Sequence, residues 1–252
     1  MTLLIDADWL LYVACAASEQ DIRWTEDVHT LHSEPLAVQA FIQGKLNQWK
    51  KLTGHNDLIM CLSDYPGFRA GLFPEYKQNR FGRRKPLALA ASRKALINAY
   101  PSKVITSLEG DDVMGLLMTD GTIDDPIMVA IDKDMRTIPG KLLVNSELVC
   151  TTELEANLNW MKQTLTGDNA DNYPGIKGCG PKTAAKILEG AKGLAEMWAA
   201  VLRAYAKAGL QFNQAVLNAR LARILRDGDY NYHDNAVRLW EPSIDKEIRT
   251  HG

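Results

Sequence analysis

Long apolar segments are absent from this chain, and their absence narrows the possible protein classes. The longest apolar run covers residues 10–17, whereas a helix that crosses a bilayer needs about 20 predominantly apolar residues. The beginning of the chain also lacks a basic region followed by an apolar stretch, which is the pattern of a secretory signal. We therefore expect a cytoplasmic protein that does not enter a membrane.

The chain also has few cysteines and a small net charge. The four cysteines, Cys15, Cys61, Cys150 and Cys179, lack the close paired spacing of a zinc site, and we expect them to be reduced. With 46% hydrophobic and 24% charged residues, the composition is that of an ordinary globular protein. The net charge of -2 gives no indication of a nucleic-acid partner.

The distribution of charge is more informative than its sum. Residues 76–98 contain seven basic residues and no acidic residue. Elsewhere the acidic residues occur in short groups. One basic stretch combined with several acidic groups indicates a polyanion held near bound cations.

Apolar runs alternate with helical patterns in the first 150 residues. Buried strands are predicted at residues 3–5, 58–62, 104–105 and 126–131. Helices are predicted at residues 9–17, 35–52, 87–100 and 111–118. This alternation predicts an α/β fold with a mainly parallel central sheet flanked by helices.

The pattern becomes helical after residue 150. Thr152 and Glu155 form a predicted capping box, a helix extends to about residue 165, and further helices are predicted at 181–188, 194–206 and 211–225. We therefore divide the chain into an α/β core at residues 1–150 and a helical subdomain at residues 151–252, packed on the core. A Gly-, Pro- and Arg-rich segment within residues 65–100 is predicted to be an exposed loop or lid.

Acidic residues recur at the ends of the predicted strands and in tight groups. These residues are Asp6, Asp64, Glu109, Asp111, Asp112, Asp132, Asp134, Asp168 and Asp171. In a parallel sheet, ligands bind outside the carboxyl ends of the strands. Crowded carboxylates repel each other unless cations lie between them. Because the set contains no His or Cys, it suits Mg²⁺ or Mn²⁺ better than zinc, and two such ions can hydrolyse a phosphodiester.

Each acidic residue also has a purely structural interpretation. An Asp after a strand commonly caps a helix, and we interpret Asp8 as such a cap for the helix that follows. Glu109, Asp111 and Asp112 open a predicted helix, where acidic residues interact favourably with the helix dipole. The recurrence of five groups in one chain favours the metal site.

The basic segment after Asp64 is predicted to contact phosphate. Lys77 and Arg80 are candidates to stabilise charge in the transition state, and the ring of Tyr76 offers a surface on which a terminal base could stack. Further contacts with the nucleic-acid strand are predicted for Arg83, Arg84 and Lys85. The alternative interpretation is a solvated loop without a partner.

A glycine-rich loop at residues 174–184 is the second predicted contact with an anion. Gly175, Gly178 and Gly180 precede Pro181, which is suited to begin a helix, so that backbone N–H groups would face a phosphate. Lys182 and Thr183 are predicted to add contacts. Such a helix–loop–helix clamp contacts the backbone of a duplex and does not recognise its base sequence. The alternative interpretation is a plain tight turn between two helices.

Taken together, these motifs resemble the flap endonuclease and 5'-3' exonuclease family, and within it the exonucleases of short-tailed phages. The resemblance covers almost the whole chain and rests on Leu3–Asp6, Ser63–Asp64, Glu75–Arg80, Leu108–Gly115, Asp132–Asp134, Gly167–Asp171, the glycine-rich loop, and the segments 222–225, 230–232 and 239–242.

The resemblance implies a PIN-like nuclease core with a C-terminal helix–loop–helix (H2TH) subdomain. It implies that the nine acidic residues above bind Mg²⁺, or Mn²⁺ in its place, directly or through water, and that Lys77 and Arg80 act from a helical arch. It also implies a K⁺ ion held by carbonyl groups near Ile176 and Cys179. The expected activity is 5'-3' hydrolysis of duplex DNA, and of RNA in hybrids, by a monomer in the host cytoplasm.

The chain departs from the family pattern in two places. The segment between Asp64 and Glu109 is short, which predicts a reduced arch, and Lys177 and Cys179 replace an acidic and an aliphatic residue of many relatives. Two other interpretations are an inactive DNA-binding scaffold and a PIN-type RNase. The complete acidic set argues against the scaffold, and the glycine-rich loop argues against the RNase.

Overall fold

The computed structural model describes residues 1–242. The strands, in chain order, are β1 Thr2–Asp6, β2 Glu19–Arg23, β3 His29–Ser33, β4 Asp57–Leu62, β5 Ser102–Val104, β6 Ile127–Val129, β7 Gly140–Val144, β8 Glu147–Thr151, β9 Gly167–Asp168, β10 Tyr173–Pro174, β11 Tyr230–Asn231 and β12 Ala236–Val237. The last ten residues of the predicted helical subdomain, 243–252, lie outside the described residues.

The helices range from one short turn to several turns. They are α1 Ala7–Ala17, α2 Pro35–Thr53, α3 Phe68–Leu72, α4 Leu89–Ala99, α5 Gly110–Thr119, α6 Glu153–Thr166, α7 Pro181–Ile187, α8 Leu194–Lys207 and α9 Phe212–Ala222, with 3₁₀ helices at Gln78–Arg80 and Lys133–Thr137. Within the described part of the chain, no helix is both long and apolar enough to cross a membrane.

The chain forms two compact units. Unit 1 comprises Met1–Gly67, Gly82–Asp132 and Gly140–Cys150, and unit 2 comprises Phe68–Phe81, Lys133–Pro139 and the described residues from Thr151 onward. Two short segments that precede residue 150 in the sequence are therefore part of unit 2. One of them carries Lys77 and Arg80, and the other carries Asp134.

Unit 1 is built on a six-stranded sheet with the order β5-β4-β1-β6-β7-β8. β1 is parallel to both β4 and β6, β5 is parallel to β4, and β7 is parallel to β6. The predicted fold class, an α/β core with a mainly parallel sheet, is confirmed. Because β1 lies at the centre, its carboxyl end is adjacent to the carboxyl ends of β4 and β6.

The core of unit 1 follows the two-residue alternation of its strands. Leu3 and Ile5 of β1 belong to a fully buried cluster together with residues of α1, α2 and α4. Successive side chains of a strand point to opposite faces, so Leu4 lies on the other face, where α5 contacts β1, β4 and β6. Because both faces of the sheet are buried, the sequences of these strands are continuous apolar runs.

The predicted strands of the sheet and the predicted helices are present, with shifts of a few residues at their ends. The last predicted helix, 211–225, is shorter and ends at Ala222 because Arg223 is extended. The hairpin of β2 and β3 was not predicted. Both of its strands are largely exposed, so they lack the apolar alternation by which a half-buried strand is recognised.

Unit 2 is a helical bundle with an aromatic core. Trp160 of α6 is fully buried, and its Nε1 atom donates to the carbonyl of Ala219 in α9 at 2.8 Å. The hydroxyl of Tyr205 in α8 donates to the carbonyl of Thr164 at 2.7 Å and accepts from Asn218 at 2.8 Å. The indole of Trp160 and the hydroxyl of Tyr205 therefore find partners within the bundle.

Two buried arginines attach the separate segments of unit 2 to its bundle. Arg69 in α3 donates from Nε to the carbonyl of Leu221 at 3.0 Å and from Nη2 to the carbonyl of Arg223 at 2.5 Å, at the end of α9. Arg226 donates to the carbonyl of Thr137 at 2.6 Å and forms an ion pair with Glu153 at 2.6 Å. Charge-assisted bonds of this kind are stronger than neutral ones.

Gly175 lies against the backbone at the end of α6. A Cβ atom at this position would lie 2.2 Å from the carbonyl carbon of Thr166 and 2.3 Å from the nitrogen of Gly167. A backbone neighbour cannot move aside as a flexible side chain could. This glycine of the predicted clamp is therefore required for packing within unit 2.

We predict that Gly175→Ala destabilises the protein by at least about 1–3 kcal/mol, the usual cost of forcing extra atoms into a packed site. The matched control is Gly44→Ala in α2, where a Cβ would meet no atom within 4 Å. That change should stabilise the protein by about 0.5–1 kcal/mol because alanine loses less backbone entropy in a helix. Urea unfolding measures both values; equal stability of the two variants would contradict the close approach.

Candidate functional site

Carboxylates follow the carboxyl ends of three adjacent strands in unit 1. Asp6 is the last residue of β1, Asp64 comes two residues after β4, and Asp132 comes three residues after β6. Asp6 is only 8% exposed, whereas Asp132 is exposed. The strand order therefore places the first group of predicted metal ligands along one edge of the sheet, as the sequence analysis expected.

Asp6, rather than Asp8, caps α1. The Oδ1 atom of Asp6 accepts from the backbone N–H of Trp9 at 3.1 Å. Asp8 instead accepts from the backbone N–H of Ser63 at 2.7 Å, just beyond the end of β4. The interpretation of Asp8 as a helix cap was therefore wrong. Asp8 is an additional carboxylate of this group, and only its position beside Asp6 in the sequence could have indicated it.

The loop before α5 is attached to the end of β4. Asp64 accepts from the N–H of Ser107 at 2.9 Å, and Ser63 Oγ accepts from the N–H of Gly110 at 2.9 Å. A Cβ at Gly110 would lie 3.2 Å from an Asp8 oxygen, so a larger residue would crowd that carboxylate. These bonds bring the start of α5, with Glu109 and Asp111, to the edge of the sheet that carries Asp8.

Asp112 has a structural role in addition to its predicted one. It is completely buried, and its Oδ2 atom accepts from the N–H of Glu109 at 3.3 Å. This is one half of a capping box, with Asp112 at the third position of α5. The helix-opening interpretation of this acidic group is therefore correct, and it does not exclude metal binding by the neighbouring Glu109 and Asp111.

The electrostatics of Asp6 show that these carboxylates are crowded. Burial raises the pKa of Asp6 to about 7; the hydrogen bond from Trp9 opposes this shift, and the charges of Asp8 and Asp132 increase it. Burial also raises the pKa of Cys61, and the charges of Asp6, Asp111 and Asp8 add to that effect. Several negative charges of unit 1 therefore act on the same buried point.

Unit 2 contains a second acidic group. Asp134 lies on the 3₁₀ helix Lys133–Thr137, Asp168 lies in β9, and Asp171 follows it. Burial raises the pKa of Tyr173 well above its usual value, and the charges of Asp168, Asp134 and Asp171 increase the shift. These three predicted ligands are therefore grouped around one buried tyrosine.

The basic segment of unit 2 is hydrogen-bonded along the loop that carries Asp171. The N–H of Lys77 donates to the carbonyl of Asp171 at 2.8 Å, and Asn79 donates to the carbonyl of Asn169 at 2.9 Å. The guanidinium of Arg80 reaches an Asp171 oxygen at 2.5 Å, and Lys77 Nζ lies 3.7 Å from the other oxygen. Both predicted catalytic cations are thus ion-paired to one carboxylate.

Tyr76 does not offer the ring surface that the sequence analysis assigned to it. The residue is only 7% exposed; its ring stacks on that of Tyr173, with centroids 6.3 Å apart, and its hydroxyl donates to Asp171 at 2.8 Å. Stacking of a terminal base on this ring is excluded in this conformation. The sequence could not indicate this because the ring's neighbours lie almost 100 positions away.

Arg84 also has a partner within its own unit. Its two terminal nitrogens bind the two oxygens of Glu19 at 2.8 and 2.7 Å, and the same carboxylate accepts from the N–H of Leu87. This bidentate pair joins the basic stretch to the start of β2, so Arg84 has less charge to offer a nucleic acid. Arg83 and Lys85 beside it are exposed.

The glycine-rich loop makes a tight turn before α7. The N–H of Cys179 donates to the carbonyl of Ile176 at 2.9 Å, and Gly178 has a φ of +78°, which favours glycine. Gly180 is the N-cap residue of α7, while Lys182 and Thr183 are exposed. The predicted clamp therefore exists as a turn with exposed basic and hydroxyl side chains at the start of a helix.

The donor groups suit a hard divalent cation by their chemistry. All nine predicted ligands are carboxylates, and carboxylate oxygens are the ligands that hard divalent cations prefer. Within residues 1–242, however, no three His, Cys, Asp or Glu side chains form a ready-made ion site. Metal binding would therefore require the carboxylates to adjust around the ion.

The chain is similar to known nucleases. The family "5'-3' exonuclease, C-terminal SAM fold" matches residues 160–245. An exonuclease of Escherichia phage T7 is 27% identical to this chain in an alignment that covers 95% of this chain and 93% of the phage protein. The flap endonuclease Xni of Shewanella sp. (strain ANA-3) is 26% identical over 75% of this chain and 80% of its own length.

Solved structures share the fold. A bacteriophage T5 protein crystallised with metal ions superposes with a TM-score of 0.62 at 14% identity, covering 88% of this chain and 89% of that one. The T5 flap endonuclease in a pseudo-enzyme-product complex with DNA and metal ions gives a TM-score of 0.61 at 13% identity, with 88% of both chains covered. This chain is therefore similar in sequence to 5'-3' exonucleases and flap endonucleases, and it shares the fold of the T5 proteins.

Proposed function

We propose that this chain is a metal-dependent 5'-3' exonuclease, or structure-specific 5'-nuclease, that hydrolyses the phosphodiester bonds of duplex DNA. The observation that carries the proposal is the buried Asp6 at the carboxyl end of β1, where the charges of Asp8 in α1 and of Asp132 beyond the parallel strand β6 act on it. A protein that only bound DNA would gain nothing from negative charges concentrated in this way, because they repel phosphate.

We assign divalent-metal binding to one acidic group in each unit, considered separately. The residues are Asp6, Asp64, Glu109, Asp111, Asp112 and Asp132 of unit 1, and Asp134, Asp168 and Asp171 of unit 2. When bound, Mg²⁺, or Mn²⁺ in its place, supplies an activated water and stabilises the leaving oxygen. A K⁺ ion at the carbonyl groups near Ile176 and Cys179 accompanies the divalent ions.

Lys77 and Arg80 act on the phosphate that is cleaved. Their pairing with Asp171 holds both cations in defined positions, and preorganised charge of this kind stabilises a transition state without reorganisation during the reaction. Tyr76 holds the carboxylate of Asp171 through its hydroxyl, so we assign it a positioning role in place of base stacking.

Affinity for the duplex comes from exposed basic residues and the glycine-rich loop. Lys182 and Thr183 contact the DNA backbone from the start of α7, with Gly178 and Gly180 allowing close approach of the loop. Arg83 and Lys85 add contacts from the basic stretch, and Arg84 contributes less because of its bond with Glu19. The substrates include duplexes with 5' ends or flaps and RNA–DNA hybrids, and the protein acts as a monomer in the host cytoplasm.

We predict that the protein releases short 5' products from a 5'-labelled duplex with Mg²⁺ and releases none with EDTA. Asp132→Asn should abolish this cleavage and leave DNA binding largely intact, because it removes a metal-binding charge and keeps the shape of the side chain. Gel analysis of the products and fluorescence anisotropy with the same duplex measure the two effects.

Asp57→Asn is the matched control, since Asp57 is an exposed carboxylate at the opposite end of β4; this variant should cleave like the wild type. Binding without cleavage by the wild type would instead support an inactive scaffold. Cleavage of single-stranded RNA alone would support a PIN-type RNase. Loss of folding in Asp132→Asn, seen by circular dichroism, would contradict the catalytic assignment.

We predict that Lys77→Ala slows single-turnover cleavage about 10²–10³-fold, as expected for removal of a preorganised charge at the transition state. The dissociation constant of the duplex should change much less. Lys94→Ala, in the same basic stretch but exposed on α4, serves as the control and should retain the wild-type rate. An unchanged rate in Lys77→Ala would remove Lys77 from the mechanism.

We predict that Lys182→Ala weakens duplex binding and reduces the slope of log affinity against log salt concentration by about 0.9, the value for one lost phosphate contact. Lys186→Ala, which changes an exposed lysine in the last turn of the same helix, should leave that slope unchanged. Anisotropy titrations at several salt concentrations measure it. Equal slopes for wild type and Lys182→Ala would refute the clamp.

A further inference from the structure

The side chain of Gln163 lies between two carboxylates of unit 2. Its Nε2 atom donates to Asp134 Oδ2 at 2.7 Å and to Asp168 Oδ2 at 3.3 Å. An ionised carboxylate only accepts hydrogen bonds, so both hydrogens of the amide nitrogen are used in these two contacts. One neutral side chain therefore joins two acidic residues that are far apart in the sequence.

The three residues come from different elements of unit 2. Gln163 is in the last turn of α6, Asp134 is on the 3₁₀ helix, and Asp168 is in β9. The backbone of the 3₁₀ helix has its own attachment to α6, because Asn159 Nδ2 donates to the carbonyl of Arg136 at 3.0 Å. The attachment of the helix backbone and the link between the two carboxylates are therefore made by separate side chains.

Asp168 has a second set of bonds that fixes its other oxygen. Its Oδ1 atom accepts from the N–H groups of Ala170 at 2.6 Å and Asp171 at 3.3 Å. Oδ2 is the oxygen that Gln163 reaches. With one oxygen held by its own loop and the other by the amide, the carboxylate of Asp168 has a defined orientation, and Gln163 extends that constraint to Asp134.

We propose that Gln163 is a positioning residue, which holds the carboxylates of Asp134 and Asp168 next to each other, so that only a small adjustment of both is needed to bind a divalent cation. This proposal rests on the proposed function of the site. The amide reduces the repulsion between the carboxylates through two N–H bonds, and it leaves their negative charge available to the ion. A lysine would cancel one of the two negative charges, and a glutamate would increase the repulsion.

The first test is Gln163→Met, which keeps an unbranched side chain of similar size and removes both donors. Isothermal titration calorimetry of the metal-free protein with Mn²⁺ should show an affinity about 10-fold lower than that of the wild type, at the lower limit for loss of a hydrogen-bond partner of a metal ligand. The Mn²⁺ concentration for half-maximal single-turnover cleavage should rise by the same factor, and the rate at saturating Mn²⁺ should approach that of the wild type.

Asn159→Leu is the matched control. It removes the bond between α6 and the 3₁₀ helix backbone from the same helix as Gln163, and it leaves the amide of Gln163 in place. This variant should melt at a lower temperature while its Mn²⁺ affinity stays within twofold of the wild type. A loss of Mn²⁺ affinity equal to that of Gln163→Met would overturn the proposal, because anchoring of the 3₁₀ helix would then explain the effect.

Gln163→Lys tests whether the residue that links the two carboxylates must be neutral. An ammonium group can donate to both carboxylates, so the metal-free variant should be at least as stable as the wild type in thermal unfolding. Its positive charge should nevertheless lower the Mn²⁺ affinity by more than the Met substitution does. Wild-type Mn²⁺ affinity in the Lys variant would overturn the proposal that a neutral bridge is required.

The behaviour of the wild type distinguishes failure of the proposed role of Gln163 from failure of the proposed function. If the wild type binds Mn²⁺ and cleaves DNA while Gln163→Met has the same Mn²⁺ affinity, the role of Gln163 is refuted and the proposed function stands. If the wild type neither binds Mn²⁺ nor cleaves, both are refuted. A 10-fold weaker affinity in Gln163→Met, with the Mn²⁺ affinity of Asn159→Leu within twofold of the wild type, supports the positioning role.

Discussion

The burial of one carboxylate beside other negative charges is the constraint on which the site in unit 1 depends. Asp6 is buried at the end of the central strand, where burial and the charges of Asp8 and Asp132 raise its pKa to about 7. A group with such a pKa keeps its proton below about pH 7, and above that pH it carries a buried negative charge that a bound cation can compensate. Because Asp6 also caps α1, it cannot turn away from its neighbours without disturbing the helix, so the repulsion is fixed by the fold.

The same hydrogen bonds create the secondary structure and orient the candidate ligands. Asp6 begins α1, Asp112 completes the capping box of α5, and Asp168 closes the turn that leads to Asp171. Each of these bonds occupies one side of a carboxylate and thereby directs the rest of the group. Capping and metal binding are therefore compatible roles for these residues, although from the sequence alone they look like competing explanations.

The sequence predicted those parts of the molecule that depend on local periodicity. The strands of the sheet that carry Asp6, Asp64 and Asp132 are short apolar runs, and burial on both faces requires such runs. Three features could not be predicted because they depend on contacts between distant residues: the burial of Tyr76 against Tyr173, the bond of Asp8 to Ser63, and the pairing of Arg84 with Glu19. The metal-binding assignments of the individual acidic residues remain predictions.

The chain contains two kinds of basic residue, paired and exposed, which its near-neutral net charge does not reveal. The two kinds contribute differently to the binding of a nucleic acid. Arg80 and Lys77 are paired to Asp171, so they add little to the long-range attraction of a polyanion, but their positions are well defined. Lys177 and Lys182 are exposed, and an exposed lysine can release counterions when it meets a phosphate. The exposed lysines therefore supply most of the long-range attraction of the nucleic acid. Lys77 and Arg80 act only at short range, where a phosphate group competes with Asp171 for them. Changing a paired cation should therefore alter the rate of the reaction more than the salt dependence of binding, and changing an exposed one should do the reverse.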